Sequence, residues 1–509
     1  MNEIDIVELT VAQVRLGLAQ GRFTCEALTQ AFLDRIALFN PRYNAIIFHN
    51  AEALADARAI DRRLAAGEAL PPLAGVPVVI KDPMDMVGFP TTGGWSQLHS
   101  SSGGVDLMPE TDSPVVARMR AAGAILLGKT NVPVLSASGT HANDSWAGPT
   151  LNAAAPDLAP GASSAGTATA VAASMCVLGL AEETGGSIQN PAAAQGLVGI
   201  KPTHALVPNT GVLPLSSLRD VVGPIARCVQ DAALCLDVLA GFTMADPKTV
   251  ASIGRLPKGG YAAGLRDTAL RGARLGLYGP GWRDAPLSDE TATLYQNAQD
   301  EIGRRGATLV ADPFRGTAFA AIALGRPAGS RFDWRGLESL PFDMENYLRR
   351  LGPTAALRSF AAFAAATQAQ NPFGPAGPLN YLAGSPAFQA CLANPGAPPD
   401  MSAFAQAREA YLDVFNTVMD ANGLDALVFP QMRAAPPPLR GDATIEATTV
   451  SEINVAGLPG VVVPAGTHRG GAPFCLLFVG RQWSEAQLLS LAFDYEQASR
   501  HRRAPALIG

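Results

Sequence analysis

Charge is scarce in this chain, and so are cysteine, histidine and long apolar runs. Charged residues make up 16% of its 509 positions against 48% hydrophobic ones. That balance excludes a solvated, disordered chain and calls for a large buried core. Length alone gives a prior of about three domains, but large single α/β domains also occur. Lys/Arg-rich runs are absent and the net charge is −6. Binding a nucleic-acid backbone needs a basic surface, so no nucleic-acid partner is expected. No uninterrupted apolar stretch reaches the ~18 residues of a membrane-crossing helix. Residues 165–180 are rich in Ala, Thr and Ser and read as a buried helix, so no membrane partner is expected. Met1-Asn2-Glu3-Ile4-Asp5 lacks the basic and apolar stretches of a secretory signal, which predicts a cytoplasmic protein.

The six cysteines (Cys25, Cys176, Cys228, Cys235, Cys391, Cys475) are scattered, and are expected as reduced core thiols. The six histidines are scattered too. No clustered ligand set points to a metal, and no cofactor is expected. Only His141 lies in a segment placed near the candidate pocket.

What is present is an alternation of helix and strand signals. Thr24 caps a predicted helix over Glu26–Phe39, with Pro41 as its stop. A second helix spans about 51–66. Short apolar strands follow at 76–80, 124–127 and 177–180, interleaved with helices opening at Ser113-Pro114 and at Ser164. The rhythm resumes over 228–310 and again over 404–500. It predicts an α/β fold: a single large α/β/α sandwich around a mixed, mostly parallel sheet. Four stretches are expected: an N-terminal helical segment (1–70), an α/β core (71–315), a helical apolar insertion (316–399) and the C-terminal part of the core (400–509). The insertion carries Phe332, Trp334, Phe342, Tyr347, Phe360, Phe363, Phe373, Tyr381 and Phe388. These aromatics either pack the insertion itself or line a substrate entrance.

Three motifs carry chemistry. Gly185-Gly186-Ser187 lets the backbone turn tightly, so that the N–H groups of Thr184, Gly185, Gly186 and Ser187 can converge as an oxyanion hole beside a nucleophilic hydroxyl. Alone it is also an ordinary glycine–serine turn. Lys81 follows Val78-Val79-Ile80, and burial there lowers an amine's proton affinity enough for a general base. The plain alternative is a strand-end lysine paired with Asp82 or Asp85; Lys129 and Lys201 follow apolar strands in the same way. Ser163 and Ser164 open a helix, and serve either as caps or, for Ser163, as a proton relay.

Taken together these segments resemble the amidase signature family over nearly the whole chain. The resemblance rests on Gly75-Val76-Pro77, Gly128-Lys129-Thr130-Asn131, Gly148-Pro149-Thr150, both serine motifs, Gly199-Ile200-Lys201-Pro202-Thr203, Asp220 with Gly223-Pro224, and Val463-Pro464-Ala465-Gly466. It implies a base at Lys81, a relay at Ser163 preceded by a cis peptide, and a nucleophile at Ser187. It also implies cleavage of a carbonyl C–N bond through an acyl-enzyme, on a small-molecule amide, anilide or carbamate, with substrate contacts expected at Ser138, Gly139 and Thr140. Homodimers are common among such enzymes. The chain departs from the family pattern at Ala162, Ala165, Glu183, Gln189 and Asn190; a Glu183–Gln189 hydrogen bond would replace the usual Asp/Arg brace. Two rivals remain: the glutamine-hydrolysing subunit of a transamidating complex, and a non-catalytic binding protein on the same scaffold.

Overall fold

The computed structural model describes residues 4–324 and 333–508; Phe332 lies outside them. The strands among them are β1 (Ile46–His49), β2 (Pro77–Lys81), β3 (Ile125–Thr130), β4 (Leu178–Glu183), β5 (Val198–Lys201), β6 (Val221–Ala226), β7 (Arg274–Leu277), β8 (Thr308–Val310), β9 (Ala426–Pro430), β10 (Gly460–Thr467) and β11 (Pro473–Val479). All eleven form one sheet in the order β1-β3-β2-β4-β6-β5-β10-β11-β9-β7-β8. Strands β2 to β6 and β9 are buried along their whole length. Helices cover the sheet: Ala165–Ala172 packs on β2 and β4, Val229–Leu239 on β6, and Glu485–Ser499 on β10.

The α/β class is as expected, but the sheet is not mostly parallel. Six of its ten strand pairings are antiparallel and four parallel. A strand buried on both faces is a continuous apolar run whichever way its neighbour points, so periodicity carries no direction. The parallel pairs arise where a helix crosses over; β10 and β11 form a plain hairpin.

Two further differences have local causes. The helix expected over Glu26–Phe39 spans Cys25–Tyr43, running past Pro41, and ends at Asn44 with φ of 48°. Its last turn is closed by Asn44 N–H donating to the Asn40 carbonyl at 2.8 Å, while the Asn40 side chain takes the next two N–H groups. Strand β6 contains Gly223-Pro224, a pair that usually breaks a central strand.

Among the described residues of 316–399 every regular element is helical. Leu340–Arg350, Phe360–Ala366 and Pro386–Ala393 contribute Met344, Leu348, Phe360, Phe363 and Phe388 to a second apolar cluster, shared with Trp95, Leu135 and Leu213 of the sheet's loops. No helix among the described residues is long and apolar enough to cross a membrane. All six cysteines are free thiols, and burial pushes Cys176 up to about 12.

Candidate active site

Strand β2 lies between β3 and β4, parallel to both, and Lys81 is its last residue. Open α/β sheets place ligands beyond the carboxyl ends of such strands. The Lys81 side chain is fully buried. Burial pushes its amine down from the ordinary lysine value, and the Glu182 carboxylate pushes it back up. Its Nζ donates to Ser163 Oγ at 2.7 Å and to the Glu182 carbonyl at 3.1 Å, and it pairs with the Glu182 carboxylate.

Ser163 sits in the turn before helix Ala165–Ala172, and the Ala162–Ser163 peptide is cis, as the resemblance implies. Gly161 makes this turn with φ of 69°; a Cβ there would come within 2.6 Å of the Asn190 carbonyl. The methyls of Ala162 and Ala165 pack with Ala142. Two of the departures from the family pattern therefore fill space with small apolar groups and leave the turn intact.

Strand β4 leads straight into Thr184-Gly185-Gly186-Ser187. Gly186 has φ of 96°, a conformation closed to most side chains. The N–H groups of Gly185, Gly186 and Ser187 find no acceptor among the described residues, which leaves them available to an incoming oxygen. Ser164 N–H donates to the Ser187 carbonyl at 3.3 Å and holds the two serine turns together. Ser163 Oγ and Ser187 Oγ are not hydrogen-bonded to each other, and the hydroxyl of Ser187, a residue 6% exposed, has no partner among the described residues. The structure thus joins Lys81 to Ser163 directly, and brings Ser187 against them through the backbone.

The turn is braced from below. Glu183 accepts from Ile188 N at 2.8 Å, Gln189 N at 3.1 Å, Gln189 Nε2 at 2.5 Å and Asn454 Nδ2 at 2.9 Å. The expected Glu183–Gln189 hydrogen bond is present, with Asn454 as a further donor. Asn190 donates to the Gly139 carbonyl at 2.9 Å and accepts from Gln431 at 2.8 Å. That places Gly139 beside the turn. The Ser138 hydroxyl accepts from Thr140 N and His141 N, and the Thr140 hydroxyl from Ile445 N, so both serve their own loops. His141 lies within hydrogen-bonding distance of the Pro438 carbonyl, at 3.1 Å.

The motifs leave Glu182 and Arg219 unnoticed and give Asp220 no role. Glu182 touches Lys81. Asp220 accepts from Thr184 Oγ1 at 2.5 Å, and burial with the Glu182 charge pushes its carboxyl up to about 7. Arg219 donates to the Thr184 carbonyl at 3.2 Å. One signal is available in the sequence: Glu182-Glu183 are charges at the end of an otherwise apolar strand, and buried charges need partners.

An apolar pocket lined by Pro83, Leu135, Leu213, Met344, Phe363 and Phe373 lies between the loop after β2 and the insertion helices. A cavity of about 510 Å³ in the insertion is lined by Phe360, Phe363, Phe373 and Leu392. Among the described residues no group of three or more His, Cys, Asp or Glu side chains is arranged to hold a metal.

Comparison with known proteins identifies the family. The Amidase family model matches residues 27–321. A glutamyl-tRNA(Gln) amidotransferase subunit of Thermosynechococcus vestitus is 32% identical, covering 98% of this chain and 99% of its own. A probable amidase of Arabidopsis thaliana is 28% identical over 99% of this chain and 92% of its own. The crystal structure of the peptide amidase from Stenotrophomonas maltophilia superposes with a TM-score of 0.81 at 32% identity, covering 99% of this chain and all of that one. With a buried lysine–serine pair beneath a glycine turn, and a family match over more than half its length, the chain belongs to the amidase signature family of amidohydrolases.

Proposed function

We propose that the chain hydrolyses carbonyl C–N bonds of small hydrophobic or aromatic amides, anilides or carbamates through Ser187, Ser163 and Lys81. The 2.7 Å contact between Lys81 Nζ and Ser163 Oγ carries the reading. It sits directly beneath a turn whose N–H groups are unpaired. Lys81 takes the proton of Ser163, Ser163 takes that of Ser187, and Ser187 Oγ attacks the carbonyl. The developing oxyanion lies among the N–H groups of the Thr184–Ser187 turn, where one donor is worth ~100- to 1,000-fold in rate. The proton returns through Ser163 to the leaving amine, and water then hydrolyses the acyl-enzyme. Gly139, held by Asn190, borders the substrate path. The apolar, aromatic-rich insertion and the sheet loops it packs against favour an aryl or alkyl substituent over a zwitterionic amino acid, and urethanes fall within that class.

A second reading, the glutamine-hydrolysing component of a transamidating complex, is supported by the Thermosynechococcus amidotransferase protein that this chain resembles over nearly its full length. A panel of chromogenic anilides, esters and carbamates, run beside free glutamine with Ser187→Ala as control, separates the two. Turnover of apolar amides or carbamates without glutaminase activity is expected. Glutaminase activity together with a co-purifying second protein would replace this proposal with the second reading.

A further inference from the structure

Lys81 has a feature that a simple lysine base does not need. Its Nζ is surrounded by three oxygens: Ser163 Oγ, the Glu182 carbonyl and the Glu182 carboxylate. An ammonium has three N–H donors and no lone pair. Three acceptors satisfy it completely, so in this arrangement Nζ is full and cannot take another proton. Both side chains are buried, at 0% and 1% exposure. Putting a carboxylate against a buried base is costly in desolvation and holds the base in its charged form. Glu182 therefore works against the reaction unless it takes part in moving the proton.

We infer that Lys81 and Glu182 act as one proton-sharing pair, with Glu182 as the final acceptor and Lys81 as the bridge. The inference rests on the Ser187–Ser163–Lys81 reading above. One proton moves from Nζ to the Glu182 carboxylate, and the lone pair this frees on the amine turns to Ser163 Oγ. Ser163 then passes its proton to Nζ as it receives that of Ser187. At the end of the step Ser187 has lost one proton and the pair has gained one, as an ammonium beside a carboxylic acid. The proton returns by the same route to the leaving amine. Glu182 touches no reacting atom of the substrate; it is a positioning residue acting through Lys81.

Other charges face the pair. Asp220 and Glu183 add negative charge around it. Arg219 and Lys248 lie near Asp220, and Lys201 near Glu183. Asp82, next along the chain, pairs instead with Lys129 at 3.6 Å. None of these contacts Nζ, which leaves Glu182 as the carboxylate in reach.

The sign of a shift in the pH profile tests the inference. A pair with a carboxylate to receive the proton stays competent at lower pH than an amine alone. The acid limb of kcat/KM on an anilide is therefore expected below about pH 7 in the native enzyme, under the range of an unassisted lysine. Glu182→Gln is expected to move that limb up by at least about one pH unit and to lower kcat at pH 6 about tenfold or more, with Glu182→Asp recovering part of the loss. A limb that moves down in Glu182→Gln would show that Glu182 only holds Lys81 charged, and an unmoved limb that it is purely structural; either overturns the inference. Should Glu182→Gln fail to fold, a native acid limb above about pH 7 overturns it by itself. Loss of activity and of fluorophosphonate labelling in Ser187→Ala is read separately. If both persist, the underlying reading has failed, whereas a wrong-signed shift with labelling intact sinks only the pair.

Discussion

Two buried lysines stand side by side in this sheet and have different surroundings. Lys81 ends β2, and Lys129 lies opposite Ile80 on the parallel neighbour β3. Both are fully buried, and burial pushes both amines down. Lys129 donates to the Pro90 carbonyl at 2.7 Å and to Thr91 Oγ1 at 3.2 Å, and faces Asp82. Its partners tie down the loop after β2. Lys81 instead meets a serine hydroxyl that leads through a second turn to Ser187. Desolvation therefore does not make a base. What distinguishes Lys81 is a transferable proton beside it and a glycine turn behind that proton.

The sharpest way to break this comparison is to remove each lysine. Lys81→Met is expected to lower kcat/KM of the folded fraction by about 10²- to 10⁴-fold, the range of a lost general base, and, because it leaves buried Glu182 without its cation, to cost stability as well; steady-state kinetics and a thermal scan read both. Lys129→Met should lose stability without the loss of rate. It leaves buried Asp82 without its cation, which costs about 3 kcal/mol or more of stability, while the folded fraction still labels at Ser187. Denaturant unfolding beside probe labelling checks this, and a rate loss equal to that of Lys81→Met would erase the distinction.

The turn supplies a smaller test. Gly186→Ala forces a side chain into φ of 96°, with its Cβ 2.9 Å from the Asn190 amide. A strain of about 1–2 kcal/mol is expected, with activity falling more than stability because the oxyanion donors are displaced.

The smallest effect is in pH dependence. Asp220, on the Lys81 side, is raised from 3.8 to about 7, and Asp85, on the Lys129 side, from 3.8 to about 6; burial is the main cause of both. A carboxyl with a raised folded value binds more protons folded than unfolded, so its contribution to stability is present at low pH and is lost as pH rises. Asp220→Asn should flatten stability between about pH 4 and 7, and Asp85→Asn between about pH 4 and 6. Urea titrations across that range would show an unchanged slope if the assignments are wrong.

These contrasts also show what the sequence could tell. The three segments were legible because each lies where a strand or helix starts or stops: Lys81 after an apolar run, Ser163 before a small-residue helix, Ser187 after two glycines. Their convergence was not legible from periodicity, since strands buried on both faces conceal both order and direction, and it came only through the family resemblance. Glu182 went unread because its partner lies 101 positions away. Asp220 belongs to the segments that carry the resemblance, but its role went unread because it depends on Thr184, 36 positions distant. In both cases the informative sign was a charge in or beside a buried strand, which identifies an unsatisfied group without naming what satisfies it.

The central claim is that Lys81, through Ser163, activates Ser187. It is tested most directly by the rate at which a fluorophosphonate modifies the folded protein, with the adduct located by mass spectrometry. One adduct on Ser187 is expected in the native chain, none in Ser187→Ala, and labelling slowed about 100-fold or more in Lys81→Met but not in Lys129→Met. An adduct on another residue, or equal labelling rates in the two lysine variants, would contradict it.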